Sequence, residues 1–215
     1  QTASQNYPVK PVRLIAPFPA GGSSDLIARI VAQRLSIGFP NQVIVENRPG
    51  AGSNLGTQLA ARAAPDGYTL LASVSTLAIN PAVYKNLTFD VQADLTPIGN
   101  IAAVPNIMAI NPGVKAGNMM DFIALARSQP GKLAYGSTGN GTAGHLNMEL
   151  FKILTGIEAH HVPYKLVSQA QTDLMGDRIQ LWIASLPPMV PLIKAGKLRA
   201  FAVSGKQRSG AIPDV

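Results

Sequence analysis

Leu14-Ile15-Ala16-Pro17-Phe18-Pro19-Ala20-Gly21-Gly22-Ser23-Ser24-Asp25-Leu26-Ile27-Ala28-Arg29 is the stretch from which the rest of the chain can be read. With Val12 before it, Leu14, Ile15 and Ala16 form the short apolar run of a buried strand, which Pro17 and Pro19 stop. Gly21-Gly22 gives the backbone freedom that side chains forbid. Ser23, Ser24 and Asp25 are all good N-cap types, and Leu26, Ile27, Ile30, Val31 and Leu35 then recur at helical spacing. The first N–H groups of a helix have no internal partner, and the helix dipole is positive there. A Gly-rich turn opens them to an anion, most naturally a phosphate or carboxylate. No Lys followed by Ser or Thr comes after the glycines, and Gly-x-Gly-x-x-Gly is absent, so the nucleotide signatures are missing. From the turn alone, an anion site and a purely structural strand-to-helix turn both stay open.

The pattern continues down the chain. Gln42–Glu46 reads as a second strand, Asn47–Asn54 as a second Gly-rich turn, 55–64 as a helix, and Tyr68–Ser73 as a third strand. Strands alternating with helices predict a parallel sheet covered on both faces. Ligands in such sheets lie at the carboxyl ends of the strands, where the turns at 18–24, 48–54 and 73–76 would converge. Asn47 and Asn54 either shape turns or bind. From Asn80-Pro81 to Pro97 the chain reads as irregular, with short helical turns at most, and Ile98 to Ile110, apolar and broken by Pro105, as a crossing strand or strand pair into a second unit.

There, Met119–Ser128 reads as a helix and Leu133–Gly136 as a strand. Ser137-Thr138-Gly139-Asn140-Gly141-Thr142-Ala143-Gly144-His145-Leu146 then repeats the opening logic of strand, Gly-rich turn with hydroxyls, and helix. That helix is placed at Thr142–Thr155, with Leu146, Leu150, Phe151 and Leu154 inward. Two such half-sites suit a ligand with two anionic or polar ends. His160–Tyr164, Ile179–Ile183 and Leu198–Val203 read as strands, Gln169–Met175 and Val190–Ala195 as helices.

Composition narrows the function classes. The 215 residues are 47% hydrophobic and 13% charged, with 20 Gly and 17 Pro, which marks a folded, turn-rich chain. With no cysteine there is neither a disulfide framework nor a thiolate metal site. His160 and His161, adjacent in a strand, point to opposite faces and make a poor chelate, so no metal and no cofactor is expected. The formal charge of +7 is spread out, without a Lys/Arg run or interleaved aromatics. Nucleic-acid binding is therefore disfavoured, and attraction of small anions fits better. No apolar run is long enough to span a membrane. The polar start, Gln1 to Asn6, suits an exported chain after signal cleavage or a frayed end.

Several phrases in order carry a family likeness: Pro17-Phe18-Pro19-Ala20-Gly21-Gly22 with Asp25 and Arg29; Val45-Glu46-Asn47-Arg48-Pro49-Gly50-Ala51-Gly52; Ala64-Pro65-Asp66-Gly67-Tyr68-Thr69-Leu70; Tyr135-Gly136-Ser137 with Gly139, Gly141 and His145-Leu146; His161-Val162-Pro163-Tyr164-Lys165; and Ile193-Lys194-Ala195-Gly196-Lys197-Leu198-Arg199-Ala200. Together they resemble the Bug-type solute receptors of tripartite tricarboxylate transporters over nearly the whole chain. The resemblance implies a periplasmic, exported protein whose signal peptide is absent from this chain. Its fold would be a two-lobe α/β periplasmic-binding-protein-like fold, each lobe a mainly parallel sheet flanked by helices. It would bind a small carboxylate (di-, tricarboxylate or aromatic acid) between the lobes and deliver it to a membrane permease, without inserting into the membrane itself. Residues 1–100 would be the first lobe, 101–203 the second, and 204–215 a crossing back, with hinges near 98–101 and 201–205. In the family the turn matching Phe18, Pro19, Ala20, Gly21, Gly22, Ser24 and Asp25 holds a carboxylate. The turn matching Ser137, Thr138, Gly139, Gly141 and Thr142 grips from the other lobe, and Ser73, Ser75 and Thr76 match a third segment. His145 and Tyr164 complete the expected ligand-binding set.

Three departures from the family pattern stand out. Leu166 and Val167 follow Lys165 where the family usually has Gly. Leu181-Trp182-Ile183-Ala184 lacks the acidic residue often found after the matching strand, which favours an acid without an amine. The chain ends at Val215 where family members continue, which implies a first lobe without its C-terminal return segment. Arg29 and Arg48 pair either with ligand or, the preferred reading, with Asp25 and Glu46. Trp182 reads as a core residue. A hydrolase or transferase using Ser24 or Ser137 is the alternative, but Gly136-Ser137-Thr138-Gly139 is not Gly-x-Ser-x-Gly and no His–acid pair is suggested near either Ser. The ligand-sensing domain of a regulator is a further alternative, and no DNA-binding helix pair is visible for it.

Overall fold

The computed structural model describes residues 7–215, so the polar start at residues 1–6 lies outside the described residues. Two compact units divide the chain, one ending at Ala102 and the other spanning Ala103–Val215.

In the first unit, β1 (Val12–Ala16) is central, with β2 (Val43–Asn47) and β3 (Thr69–Leu71) parallel on either side, in the order β2-β1-β3. Helix α1 (Ser23–Gly38) follows β1, α2 (Asn54–Ala61) follows β2, and α3 (Thr76–Val83) follows β3. The turns after all three strands therefore share one edge, as the alternating pattern predicts. The core is Val12, Leu14, Ala16, Ala28, Ala32, Val43 and Ala72. Small Ala28 and Ala32 face the sheet, while Leu26 and Ile30 are about half exposed. The apolar spacing located the helix, and Val31 and Leu35 of that set pack against the core beside the two alanines. Helix α3 begins ahead of the region read as irregular and carries one helical turn into it, through Pro81 to Val83. Pro81 is the sixth of its eight residues and has no N–H to give to the preceding turn, yet the helix closes beyond it with the Tyr84 N–H on the Asn80 carbonyl (2.8 Å).

The second unit holds a five-stranded sheet in the order β6-β5-β7-β4-β8. Its strands are β4 (Asn106–Ile110), β5 (Leu133–Ser137), β6 (Ala159–Pro163), β7 (Leu181–Ser185) and β8 (Arg199–Val203). β5 runs parallel to β6 and β7, and β4 is antiparallel to β7 and β8. Helices α4 (Met119–Ser128), α5 (Ala143–Thr155), α6 (Val167–Met175) and α7 (Val190–Lys194) flank it. Side chains alternate along each strand. Ile107 and Ala109 of β4, with Trp182 and Ala184 of β7, join one cluster with α6; Met108, Ile110 and Leu181 join the other with Phe122 of α4 and Met148 of α5. Trp182 is thus a core residue, as read. Regular strand begins only at Asn106, so most of 98–110 is not the strand expected. Residues after 203 stay with this unit, where Ile212 is buried.

The inward face assigned to α5 is corrected. Leu150 and Leu154 are 55% and 75% exposed, while Met148 is fully buried. Gly144 sets the face, because a Cβ there would lie 2.4 Å from the Ile183 carbonyl oxygen. The stripe in line with it, Gly144, Met148 and Phe151, is the one that meets the sheet.

Candidate functional site

The β1–α1 turn is held from inside by Asp25. Its buried carboxylate accepts hydrogen bonds from the Gly21 N–H (3.0 Å), Arg29 Nε (3.1 Å) and Asn47 Nδ2 (2.9 Å). Asn47 Nδ2 also donates to the Phe18 carbonyl (3.2 Å), and Arg29 reaches Asn47 Oδ1 (3.2 Å). Burial alone would raise the Asp25 pKa, but the Gly21, Arg29 and Asn47 donors outweigh it and hold the carboxyl below its ordinary value. The residue at positive φ is Gly21 (+81°), and the N-cap is Gly22, with no side-chain cap. That corrects the expectation that Ser23, Ser24 or Asp25 caps the helix. The first intrahelical bond runs from Leu26 N–H to the Gly22 carbonyl. The N–H groups of Ser23, Ser24 and Asp25 have no partner among the described residues. Ser23 is 7% exposed, and its Oγ is buried without a hydrogen-bond partner. A helix start with unpaired N–H groups and an unpaired hydroxyl is chemically suited to an anion.

The neighbouring turns border it. Arg48 N–H donates to the Ala16 carbonyl (2.9 Å). Gly56 of α2 lies against Pro17, where a Cβ would come within 2.7 Å. Arg48 pairs with Glu46 (3.0 Å), which Arg13 also holds in a two-point contact at 2.8 and 3.1 Å. Arg29 pairs with Asp25. Both arginines therefore make the ion pairs preferred from the sequence. The Arg13 hydrogen bonds, against a burial penalty and with help from Arg48, lower the Glu46 pKa to about 2. After β3, Ser73 is half-buried and Ser75 exposed. Thr76 is buried and shares a hydrogen bond with Ser53 (2.9 Å).

In the second unit the β5–α5 turn is closed by its own hydroxyls. The fully buried Ser137 accepts from the Gly139 N–H (3.0 Å) and donates to the Gly139 carbonyl (3.2 Å). It also shares a hydrogen bond with His161 Nε2 at 2.6 Å, in which the donor is set by the histidine tautomer. Thr142 Oγ1 donates to the same Gly139 carbonyl (2.7 Å). The Gly141 N–H donates to His145 Nδ1 (3.2 Å), so the neutral ring carries its proton on Nε2. His161 stacks between His145 (4.3 Å) and Tyr135 (4.9 Å). Burial, then His145 beside it, pulls the His161 pKa down to about 4 against the opposing pull of Glu149. Below this stack Tyr135 donates to Glu149 (2.5 Å), which also pairs with Lys152 (2.9 Å).

The structure thus brings Phe18, Pro19, Ala20, Gly21, Gly22, Ser24 and Asp25 together with Ser73, Ser75 and Thr76 on one edge of the first sheet. It gathers Ser137, Thr138, Gly139, Gly141, Thr142 and His145 at one turn of the second. Tyr164 differs from the expectation: it is 8% exposed in the core, and its hydroxyl donates to Asp173 (3.0 Å). Burial, then that carboxylate, raises its pKa to about 12. Ser137 does meet a histidine, which the sequence did not suggest. Ser137 has no exposed surface and its hydroxyl is tied to both the N–H and the carbonyl of Gly139, so it closes the turn and does not face a substrate. His161 and Ser23 were missed. His161 lies in the His161–Lys165 phrase, but its partner Ser137 is 24 residues away; Ser23 reads in the sequence only as a candidate cap. Among the described residues no group of three or more His, Cys, Asp or Glu is placed to hold a metal ion. Nor is any helix there long and apolar enough to cross a membrane.

Comparison with known proteins fits this geometry. Residues 27–215 match the family described as tripartite tricarboxylate transporter family receptor. BugT of Bordetella pertussis is 36% identical over 215 residues, covering 99% of this chain and 66% of the relative. The chain therefore spans just under two thirds of that protein's length. A solved periplasmic transporter is 45% identical with a TM-score of 0.93, covering 97% of this chain and 70% of the other. A protein of R. palustris solved with adipate is 36% identical (TM-score 0.90; 94% and 68% covered). The periplasmic binding protein BugD is 30% identical (TM-score 0.91; 97% and 70% covered). These are solute-binding proteins, not enzymes, and share the α/β fold described above. The chain belongs to the receptor family of the tripartite tricarboxylate transporters.

Proposed function

We propose that the chain is an extracytoplasmic receptor for a small carboxylate without an amine, a di- or tricarboxylate or an aromatic acid, which it delivers to a membrane permease. The observation that carries this is the start of α1, with unpaired N–H groups on Ser23, Ser24 and Asp25 and the buried, unpartnered Ser23 hydroxyl. Such a start favours negative charge. The α5 start, with the His145 Nε2–H, is a second donor set in its own unit. The carboxylates nearest these turns are already engaged: Asp25 with Arg29 and Asn47, Glu46 with Arg13 and Arg48, and Glu149 with Tyr135 and Lys152. None is left to meet a ligand ammonium. The adipate bound by the R. palustris relative is an acid of the proposed kind.

Calorimetric titration of the chain and of Ser23→Ala with adipate tests the reading. Ser23→Ala removes a buried hydroxyl that makes no hydrogen bond, so the free protein should melt at the same temperature or higher. Affinity should fall at least tenfold, because the carboxylate loses a donor. Unchanged affinity in Ser23→Ala would sink the assignment.

A further inference from the structure

The turn after β2 is held in an unusual shape. Gly50, Ala51, Gly52 and Ser53 all have positive φ, at +135°, +48°, +61° and +84°. Two of the four are not glycine, and L side chains resist this region. Something beneath must over-determine it. Asn80 of α3, 2% exposed, reaches across from the far side of β1. Its amide nitrogen lies 2.6 Å from Asn54 Oδ1 and 2.8 Å from the Gly52 carbonyl, and 3.3 Å from Ser53 Oγ. Thr76 Oγ1 bonds Ser53 Oγ, and Thr57 Oγ1 bonds the Ser53 carbonyl (3.0 Å), each side chain 1% exposed. Asn80 Oδ1 is buried without a partner. A residue kept for packing alone would not leave a buried acceptor unmade.

We propose that Asn80 is a positioning residue for the binding edge of the first unit. It holds the left-handed Gly50–Ser53 turn in place. That turn leads into α2, whose Gly56 rests on Pro17, so the same bonds set the β1–α1 turn that presents the anion-binding N–H groups. The ligand part of this inference rests on the carboxylate reading above; the hold on the turn does not.

A double-mutant cycle separates positioning from packing. The variants are Asn80→Ala, Ala51→Gly and their combination, read by adipate titration and by the backbone amide NMR shifts of Gly50 and Gly52. Asn80→Ala should shift both glycine amides and weaken adipate at least tenfold. Ala51→Gly removes the side chain that resists positive φ, so adding it should recover at least threefold of that loss. A purely structural Asn80 would give additive effects with no recovery, and that result overturns the proposal, as do unmoved glycine amides. If Asn80→Ala does not fold, Thr76→Val removes the Ser53 partner at similar volume and carries the same expectation. A parent chain that binds no adipate counts against the carboxylate reading, and the amide shifts then decide the hold on the turn by themselves.

Discussion

Asp25 and His161 show how charge at the turns is committed before any ligand arrives. Glu46 and Asp25 have pKa values below their ordinary ones in the fold. Such carboxylates stabilise above their unfolded pKa, and the contribution is lost as pH falls through the folded value. For Glu46 the window runs from about pH 4.5 down to about 2. His161 is also depressed, from 6.5 to about 4, so the unfolded chain binds more protons between those values. Stability should therefore decline as pH drops from about 6.5 to 4, and decline further below 4.5. Urea unfolding against pH checks this: His161→Asn should flatten the upper part of the decline and Glu46→Gln the lower. A profile that His161→Asn leaves unaltered would mean that His161 is not buried as a neutral ring.

At the scale of elements, the sequence told most about where chain segments start and stop. Pro17, Pro19, Pro65-Asp66-Gly67 and Pro130-Gly131 interrupt regular structure, and the elements between them fall close to the expected limits. The faces were harder to read, because a helix's buried side depends on where the backbones touch. In α5 that point is Gly144 against Ile183, which no apolar count reveals. Helix α3 was hidden because Pro81 reads as a breaker, while the Asn80 contacts beside it are all with a turn 26 to 28 residues earlier. For the same reason the two Gly-rich strand-to-helix turns were legible from local chemistry, whereas the Ser137–His161 and Asn80 contacts, made across strands, were not. Gly144→Ala should destabilise by about 1–3 kcal/mol, since the Ile183 carbonyl is backbone and cannot swing away. Leu154→Gln, at an exposed position of the same helix, should stay within about 0.5 kcal/mol. Thermal melting of the two variants checks both, and equal effects would mean that α5 packs by a different face.

For the molecule as a whole, the proposed receptor would bind its ligand and return it unchanged. A ligand that binds only the native state must raise the unfolding midpoint, by about 2.7 kcal/mol of stability at a hundred times Kd. The experiment to do first is thermal unfolding of the chain and of Ser23→Ala against adipate, citrate, benzoate and glutamate. An amine-free acid should raise the midpoint of the parent in a concentration-dependent way, with glutamate weaker and with the shift largely lost in Ser23→Ala. A shift from glutamate alone would contradict the preference for an acid without an amine, and one that Ser23→Ala keeps in full would contradict carboxylate binding at the start of α1.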